Sequence, residues 1–164
     1  MLIFAVLFSG QHKTITNPKQ YKKALNMIEI QDEIRHFPKE IPSNAKNVKM
    51  YNYTSDSNGE FFLLQFKIDK DYIEQELKKN DFINKHSPIG IPQDIYHFYS
   101  FHGIKPDGCY TLYVIDNAYN RDVYNDYFPY YSGIGISNNF DHILYYYFNL
   151  EDKIWLQRAK TKNL

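Results

Sequence analysis

Residues 60–68 read E-F-F-L-L-Q-F-K-I, and apolar side chains recur there at every second position. The alternating set is Phe62, Leu64, Phe66 and Ile68. Successive side chains of a β-strand point to opposite faces of a sheet, so these four share one face, which we expect to be buried. Residues 55–59 read S-D-S-N-G, and Asn-Gly is typical of a hairpin turn. The stretch therefore predicts the return strand of a hairpin whose first strand covers residues 46–53.

Four further strands are predicted downstream. Residues 96–104 and 109–116 flank K-P-D-G, where Pro presets the first central residue of a turn and Gly accepts a left-handed backbone. Residues 133–137 and 142–148 flank a second turn sequence, N-N-F-D. Residues 84–94 contain Pro88, Gly90 and Pro92 and are predicted to be a loop. Short turns between successive strands predict an antiparallel sheet of about six strands.

Two helices are expected on one face of this sheet. Asn17 and Pro18 are typical of a helix start, and apolar residues follow at helical spacing, namely Tyr21, Ala24, Leu25 and Ile28. This pattern predicts a helix over 18–30, with Ile34 and Phe37 continuing its apolar stripe after a break. Asp69 is the predicted N-cap of a second helix, 70–79. The combination predicts an α+β fold, and a chain of 164 residues fits one domain, covering residues 11–164.

Composition favours a globular protein that does not bind nucleic acid. The chain has 16 Tyr and 12 Phe, and its formal net charge is zero. A nucleic-acid binder needs a basic surplus to displace counterions from phosphates. The charge is uneven, because the first fifty residues are basic and residues 107–152 are acidic. Such a distribution either steers a charged partner or forms ordinary solvated faces.

The N-terminal residues bear on localisation. Residues 1–8 read M-L-I-F-A-V-L-F, which is too short to span a bilayer and lacks the basic start of a signal peptide. Residues 1–10 are therefore interpreted either as a clipped export segment or as an edge strand. Gln11 stands where a lipoprotein would carry its lipid-bearing Cys, so lipidation of this sequence is excluded. An extracytoplasmic, membrane-anchored location is favoured over a cytoplasmic one.

Three stretches carry a resemblance to other proteins. They are H-F-P-K-E-I-P at 36–42, G-I-G-I at 133–136 and F-D-H-I-L-Y-Y-Y at 140–147. Together with the hairpin and the second helix, they resemble a group of uncharacterised small proteins of low-GC bacteria, many of which carry an N-terminal membrane or lipoprotein segment. The resemblance implies that residues 1–8 belong to an export segment. It implies no activity.

Catalytic and metal-binding patterns are weak in this sequence. The six histidines, His12, His36, His86, His97, His102 and His142, show no metal-ligand spacing. Cys109 is the only cysteine, and strand alternation puts it on the opposite face from His102, which disfavours a Cys-His dyad. Ser100 and His102 share a face, either as a buried hydrogen-bonded pair or as the floor of a pocket. No catalytic residue, metal or cofactor is predicted.

The best candidate site is a predicted loop over 117–132. It carries a mixture of tyrosines and acids: Tyr119, Asp122, Tyr124, Asp126, Tyr127, Tyr130 and Tyr131. Antibody paratopes use this chemistry, in which Tyr supplies stiff amphipathic area and short polar residues adapt to the ligand. The alternative is a loop whose aromatic side chains cover the sheet.

These observations favour a binding module over an enzyme. Its partner would be an unknown protein or a glycan, and inhibitor or immunity proteins and cell-surface accessory domains are the two types that fit. The alternative is a small hydrolase built around His102, Asp107, Cys109 or His142. The sequence leaves the oligomeric state open.

Overall fold

The structure, a computed structural model, describes residues 12–28, 31–55, 59–86, 110–116 and 130–149. Its seven strands are β1 (His12–Ile15), β2 (Lys46–Ser55), β3 (Gly59–Lys67), β4 (Asn84–His86), β5 (Tyr110–Asp116), β6 (Tyr130–Ser137) and β7 (His142–Asn149). Its two α-helices are α1 (Tyr21–Leu25) and α2 (Lys70–Lys79). Short 3-10 turns precede and follow α1, at Pro18–Gln20 and Gln31–Ile34.

All seven strands form one antiparallel sheet in the order β1-β2-β3-β7-β6-β5-β4. Strands β1 to β3 form one meander and β4 to β7 form another. The two meanders join along β3 and β7, where Phe62 lies opposite Tyr147 and Phe66 lies opposite Ile143. The predicted α+β fold with an antiparallel sheet is confirmed. Among the described residues, five of the six predicted strands are present, and β1 and β4 add two short edges that the residue pattern did not predict.

Both helices pack on the same face of the sheet, as expected. The alternating residues of β3 form the floor of this layer and are all buried. The ring of Phe37 stacks on Phe62 at 5.0 Å between centroids, and the ring of Tyr21 lies 5.8 Å from that of Phe62. On the second helix, Ile73 is fully buried, and the side chain of Asp69 accepts a hydrogen bond from the Tyr72 amide at 2.9 Å. The predicted cap and the predicted core face are therefore both present.

The opposite face of the sheet is buried as well. Its side chains include Phe61, Leu63, Leu112, Leu144 and Tyr146, each at most 1% exposed. Since β3 is buried on both faces, residues 60–66 read as a nearly continuous apolar run rather than a strict alternation.

Two glycines of β6 allow large side chains to lie flat on this second face. The Tyr146 ring crosses the position that a Cβ of Gly133 would fill, and its hydroxyl donates to the carbonyl oxygen of Tyr113 at 3.1 Å. At Gly135 a Cβ would lie 3.0 Å from Cδ2 of Leu112. A Cβ at Gly133 would collide with the backbone carbonyl oxygen of Tyr113 as well as with the Tyr146 ring, whereas a Cβ at Gly135 would meet side-chain atoms.

Most predicted boundaries agree with the structure to within two residues, and the larger differences are the following. The first helix ends at Leu25, where Asn26, a weak helix former, leads into a tight turn. In the predicted loop 84–94, residues 84–86 instead form β4, because their backbone pairs with β5. In the predicted loop 117–132, residues 130–132 belong to β6. The strand 96–104 and the K-P-D-G turn lie outside the described residues. Within the described ranges, no helix is long and apolar enough to cross a membrane.

Candidate functional site

Most of the predicted site residues lie outside the described residues. Tyr119, Asp122, Tyr124, Asp126, Tyr127, Ser100 and His102 are in this group, as are Asp107 and Cys109. For Tyr130 and Tyr131 the structure describes the backbone. Tyr130 pairs with Asn149 and Tyr131 pairs with Phe148 in the sheet. Placing these two tyrosines in a loop was wrong. Tyrosine has a high strand propensity, and the adjacent β7 offers a partner for their backbone groups.

The described residues contain a different candidate, the turn between β6 and β7. We call residues 137–142 the Phe140 turn. Phe140 has a φ of 52°, in the left-handed region, and 37% of the residue is exposed. Its amide donates to the carbonyl oxygen of Ser137 at 2.9 Å. Nζ of Lys70 lies 5.9 Å from the centroid of the Phe140 ring. A large apolar side chain is thus held at the tip of a hairpin with a cation beside it.

A hydrogen-bond network fixes the base of the Phe140 turn. The Ser137 hydroxyl donates to Oδ1 of Asp141 at 3.0 Å and accepts from the amides of Asp141 and His142 at 3.2 and 3.0 Å. Nδ1 of His142 lies 2.8 Å from Oδ1 of Asp141. Nζ of Lys67 lies 3.1 Å from Oδ2 of the same carboxylate. Asp141 is therefore the hub of the turn.

The network holds Asp141 in its charged form. The hydrogen bond with His142, followed by those with Lys67 and Ser137, lowers the pKa of the Asp141 carboxyl well below its usual range. Serine, histidine and aspartate meet here, but the hydrogen bonds do not run from serine to histidine to aspartate as they do in a catalytic triad. The Ser137 proton points to the carboxylate, and within the described turn no hydrogen bond joins this hydroxyl to the imidazole of His142. The three residues therefore stabilise the hairpin.

The network should make stability depend on acid pH. We expect Asp141→Asn to lower the free energy of unfolding at pH 7 by about 1 kcal/mol, discounted for the partial exposure of the carboxylate. A lowered folded-state pKa contributes stability above the unfolded value of about 3.9, and this contribution is lost as the pH falls through the folded value. The difference between wild type and variant should therefore shrink below about pH 4 in urea denaturation. A gap that stays constant down to about pH 2 would contradict this assignment.

A second buried polar cluster joins α2 to the sheet. The hydroxyl of Tyr145 donates to Oε2 of Glu76 at 3.1 Å and lies 3.2 Å from the hydroxyl of Tyr72. Nζ of Lys79 lies 3.3 Å from Oε1 of Glu76. Burial, more than the neighbouring groups, raises the pKa of Tyr145 far above its usual value. Glu76 is 7% exposed, so this carboxylate serves helix–sheet packing. Sequence reasoning missed it, although Glu76 follows Tyr72 by one helical turn on the buried side.

The described residues contain no group of three or more His, Cys, Asp or Glu side chains placed to hold a metal ion. No known protein family, curated protein or solved structure matches the chain. The resemblance to small proteins of low-GC bacteria therefore stays a prediction. The sequence did identify N-N-F-D as a turn. What it missed was that Phe140 has a left-handed backbone, a conformation in which Asn or Gly is usual.

Proposed function

We propose that this domain is a protein-binding module and that Phe140 is its anchor. The observation that carries the proposal is an exposed aromatic side chain on a left-handed backbone at the tip of a braced hairpin. A non-glycine residue in this conformation costs roughly 1–2 kcal/mol. Strain of this kind persists where the surrounding structure enforces it, and it is concentrated at functional sites.

The chemistry of the turn supports binding. Aromatic side chains dominate the energy of many interfaces because they bury a large area with few rotatable bonds. The base of the turn is fixed by Ser137, Asp141 and Lys67, so the ring needs little further ordering when a partner arrives. An inhibitor or immunity protein, or a cell-surface accessory domain, would use such an anchor. The tyrosine-rich residues 119–127 are proposed, from sequence alone, to belong to the same binding function.

The contacts of two described carboxylates, Asp141 and Glu76, favour binding over hydrolysis. Asp141 is occupied by the turn network, and Glu76 is occupied by Tyr145 and Lys79. The Ser137 hydroxyl donates to Asp141, and its described hydrogen bonds do not include the His142 imidazole, so these three side chains do not form a catalytic triad.

Phe140→Asn separates binding from folding. Asparagine accepts the left-handed backbone, which offsets the loss of the partly buried ring, so we expect the free energy of unfolding to change by less than about 1 kcal/mol. Affinity for the partner should fall about 30-fold or more, as expected for an interface anchor. Phe140→Tyr, which keeps the ring, is the matched control and should bind nearly as well as wild type. If the Asn variant binds like wild type, Phe140 is not the anchor.

The partner can be captured with a photo-reactive phenylalanine analogue at position 140. Position 75, an exposed residue of α2, carries the same group as a control. The proposal expects a discrete protein adduct from native-source extract at position 140 but not at position 75. Excess wild-type domain should prevent the adduct, and excess Phe140→Asn domain should not. Equal adducts at the two positions would contradict a site centred on the Phe140 turn.

A further inference from the structure

Strand register aligns three basic residues at one end of the sheet. Lys46 of β2 lies opposite Lys67 of β3, and Lys67 lies opposite His142 of β7. Residues directly opposite one another in antiparallel strands project from the same face. Adjacent strands lie about 4.8 Å apart, so these residues form a row across three strands. We call Lys46, Lys67 and His142 the basic row.

The basic row is accessible and sits against the Phe140 turn. Lys46 is exposed, and the side chain of Lys67 is 48% exposed. Lys49, opposite Gln65, adds a further basic residue on the same face, because the register of β2 shifts between Lys46 and Lys49. Lys70, whose ammonium group lies beside the Phe140 ring, adds another cation at the turn. Asp141 is the acidic side chain that contacts both Lys67 and His142.

The placement of Lys46 directly opposite Lys67 lowers the stability of the folded sheet. Like charges directly opposite each other on neighbouring strands destabilise a sheet. Asp141 offsets the charge of Lys67, but among the described ion pairs no acidic side chain contacts Lys46. An external anion that spans the row would relieve this repulsion.

We propose that the basic row binds the carboxylates of an acidic segment on the protein that receives Phe140. This inference rests on the proposed function and names the chemistry of its partner. An apolar anchor bordered by ammonium groups fits an apolar pocket with an acidic rim, because complementary charge guides docking and rejects other surfaces. The zero net charge of the chain favours such a local patch over a nucleic-acid site, which needs a general basic surplus.

The test uses the full chain and a fluorescein-labelled peptide of alternating Glu and Ala, followed by fluorescence anisotropy. The Lys46→Gln/Lys67→Gln double variant should bind the peptide at least tenfold more weakly than wild type. The control is Lys19→Gln/Lys23→Gln, which removes two exposed lysines near the helices and should change affinity less than twofold. Because Lys67→Gln breaks the ion pair with Asp141, Lys46→Glu provides a second variant that keeps this pair. It should also lose binding, with an unchanged or higher melting temperature.

The inference would be overturned by equal losses in the row and control variants, by no binding of the peptide to wild type at low salt, or by tighter binding of a single-stranded oligonucleotide than of the peptide. Millimolar inorganic phosphate that displaces the peptide completely would reduce the row to a general anion site and also defeat the proposal. If the row variants have no effect while position 140 still yields its adduct, the inference fails and the proposed function stands. Row-dependent peptide binding without an adduct would instead support the basic row and contradict Phe140 as the anchor.

Discussion

Gly133→Ala is expected to remove about 3 kcal/mol or more of the free energy of unfolding, at the upper end of overpacking effects. A methyl group at this position would overlap the backbone carbonyl oxygen of Tyr113 and the end of the Tyr146 ring. The carbonyl belongs to β5, which pairs with β6, so it can move only if the ladder between the two strands distorts. Tyr146 is fully buried and cannot turn away without losing its hydrogen bond to Tyr113. Chemical denaturation of both proteins measures the loss.

Gly135→Ala is the matched control on the same strand and face. Its added methyl group would meet side-chain atoms of Leu112, Leu144 and Tyr110 at 3.0 to 3.4 Å. Flexible leucine side chains can shift by a few tenths of an ångström, so we expect a loss of about 1 kcal/mol or less. If the two variants lose the same stability, the backbone contact at Gly133 is not the cause.

Phe66→Ala is expected to cost about 3–5 kcal/mol. Phe66 is fully buried near the C-terminal end of β3, and its ring centroid lies 6.1 Å from that of Tyr72 and 5.9 Å from that of Tyr145. Truncation removes apolar contacts and leaves a cavity between α2 and the sheet, which the surrounding rings can fill only in part. Urea denaturation gives the change, and Phe140→Asn, at an exposed site, provides the control. A loss below about 1 kcal/mol at Phe66 would mean that the layer under α2 is loosely packed.

The parts of the fold that the sequence predicted are those with a local physical signal. The alternation around Phe62 and Phe66 predicted the buried face under the helices, because one side of a strand recurs every second residue. Asp69 predicted the start of α2, because its carboxylate satisfies an amide that the helix cannot. The N-N-F-D sequence predicted the last hairpin between β6 and β7.

Other features depend on partners distant in sequence. Strands β1 and β4 are strands because their backbones pair with β2 and β5, and neither has an apolar alternation of its own. The burial of Asn52 also depends on distant residues, because Asn52 lies between Ile15 of β1 and Phe62 of β3. No described hydrogen bond satisfies its side-chain amide. To predict the hydrogen-bond network of the Phe140 turn, one needs to know that Lys67 lies opposite His142, and only the register of β3 with β7 supplies this.

The central position of β7 links folding to the order in which a ribosome makes the chain. Strands β1 to β3 and β4 to β6 are synthesised first, yet β3 and β6 each need β7 as their second neighbour. Until residues 142–149 emerge, both strands present an unpaired edge, and unpaired edges pair readily with other chains. A nascent chain that stalls before residue 142 would thus expose two such apolar edges. Aggregation during synthesis should therefore be most severe for chains halted just short of β7.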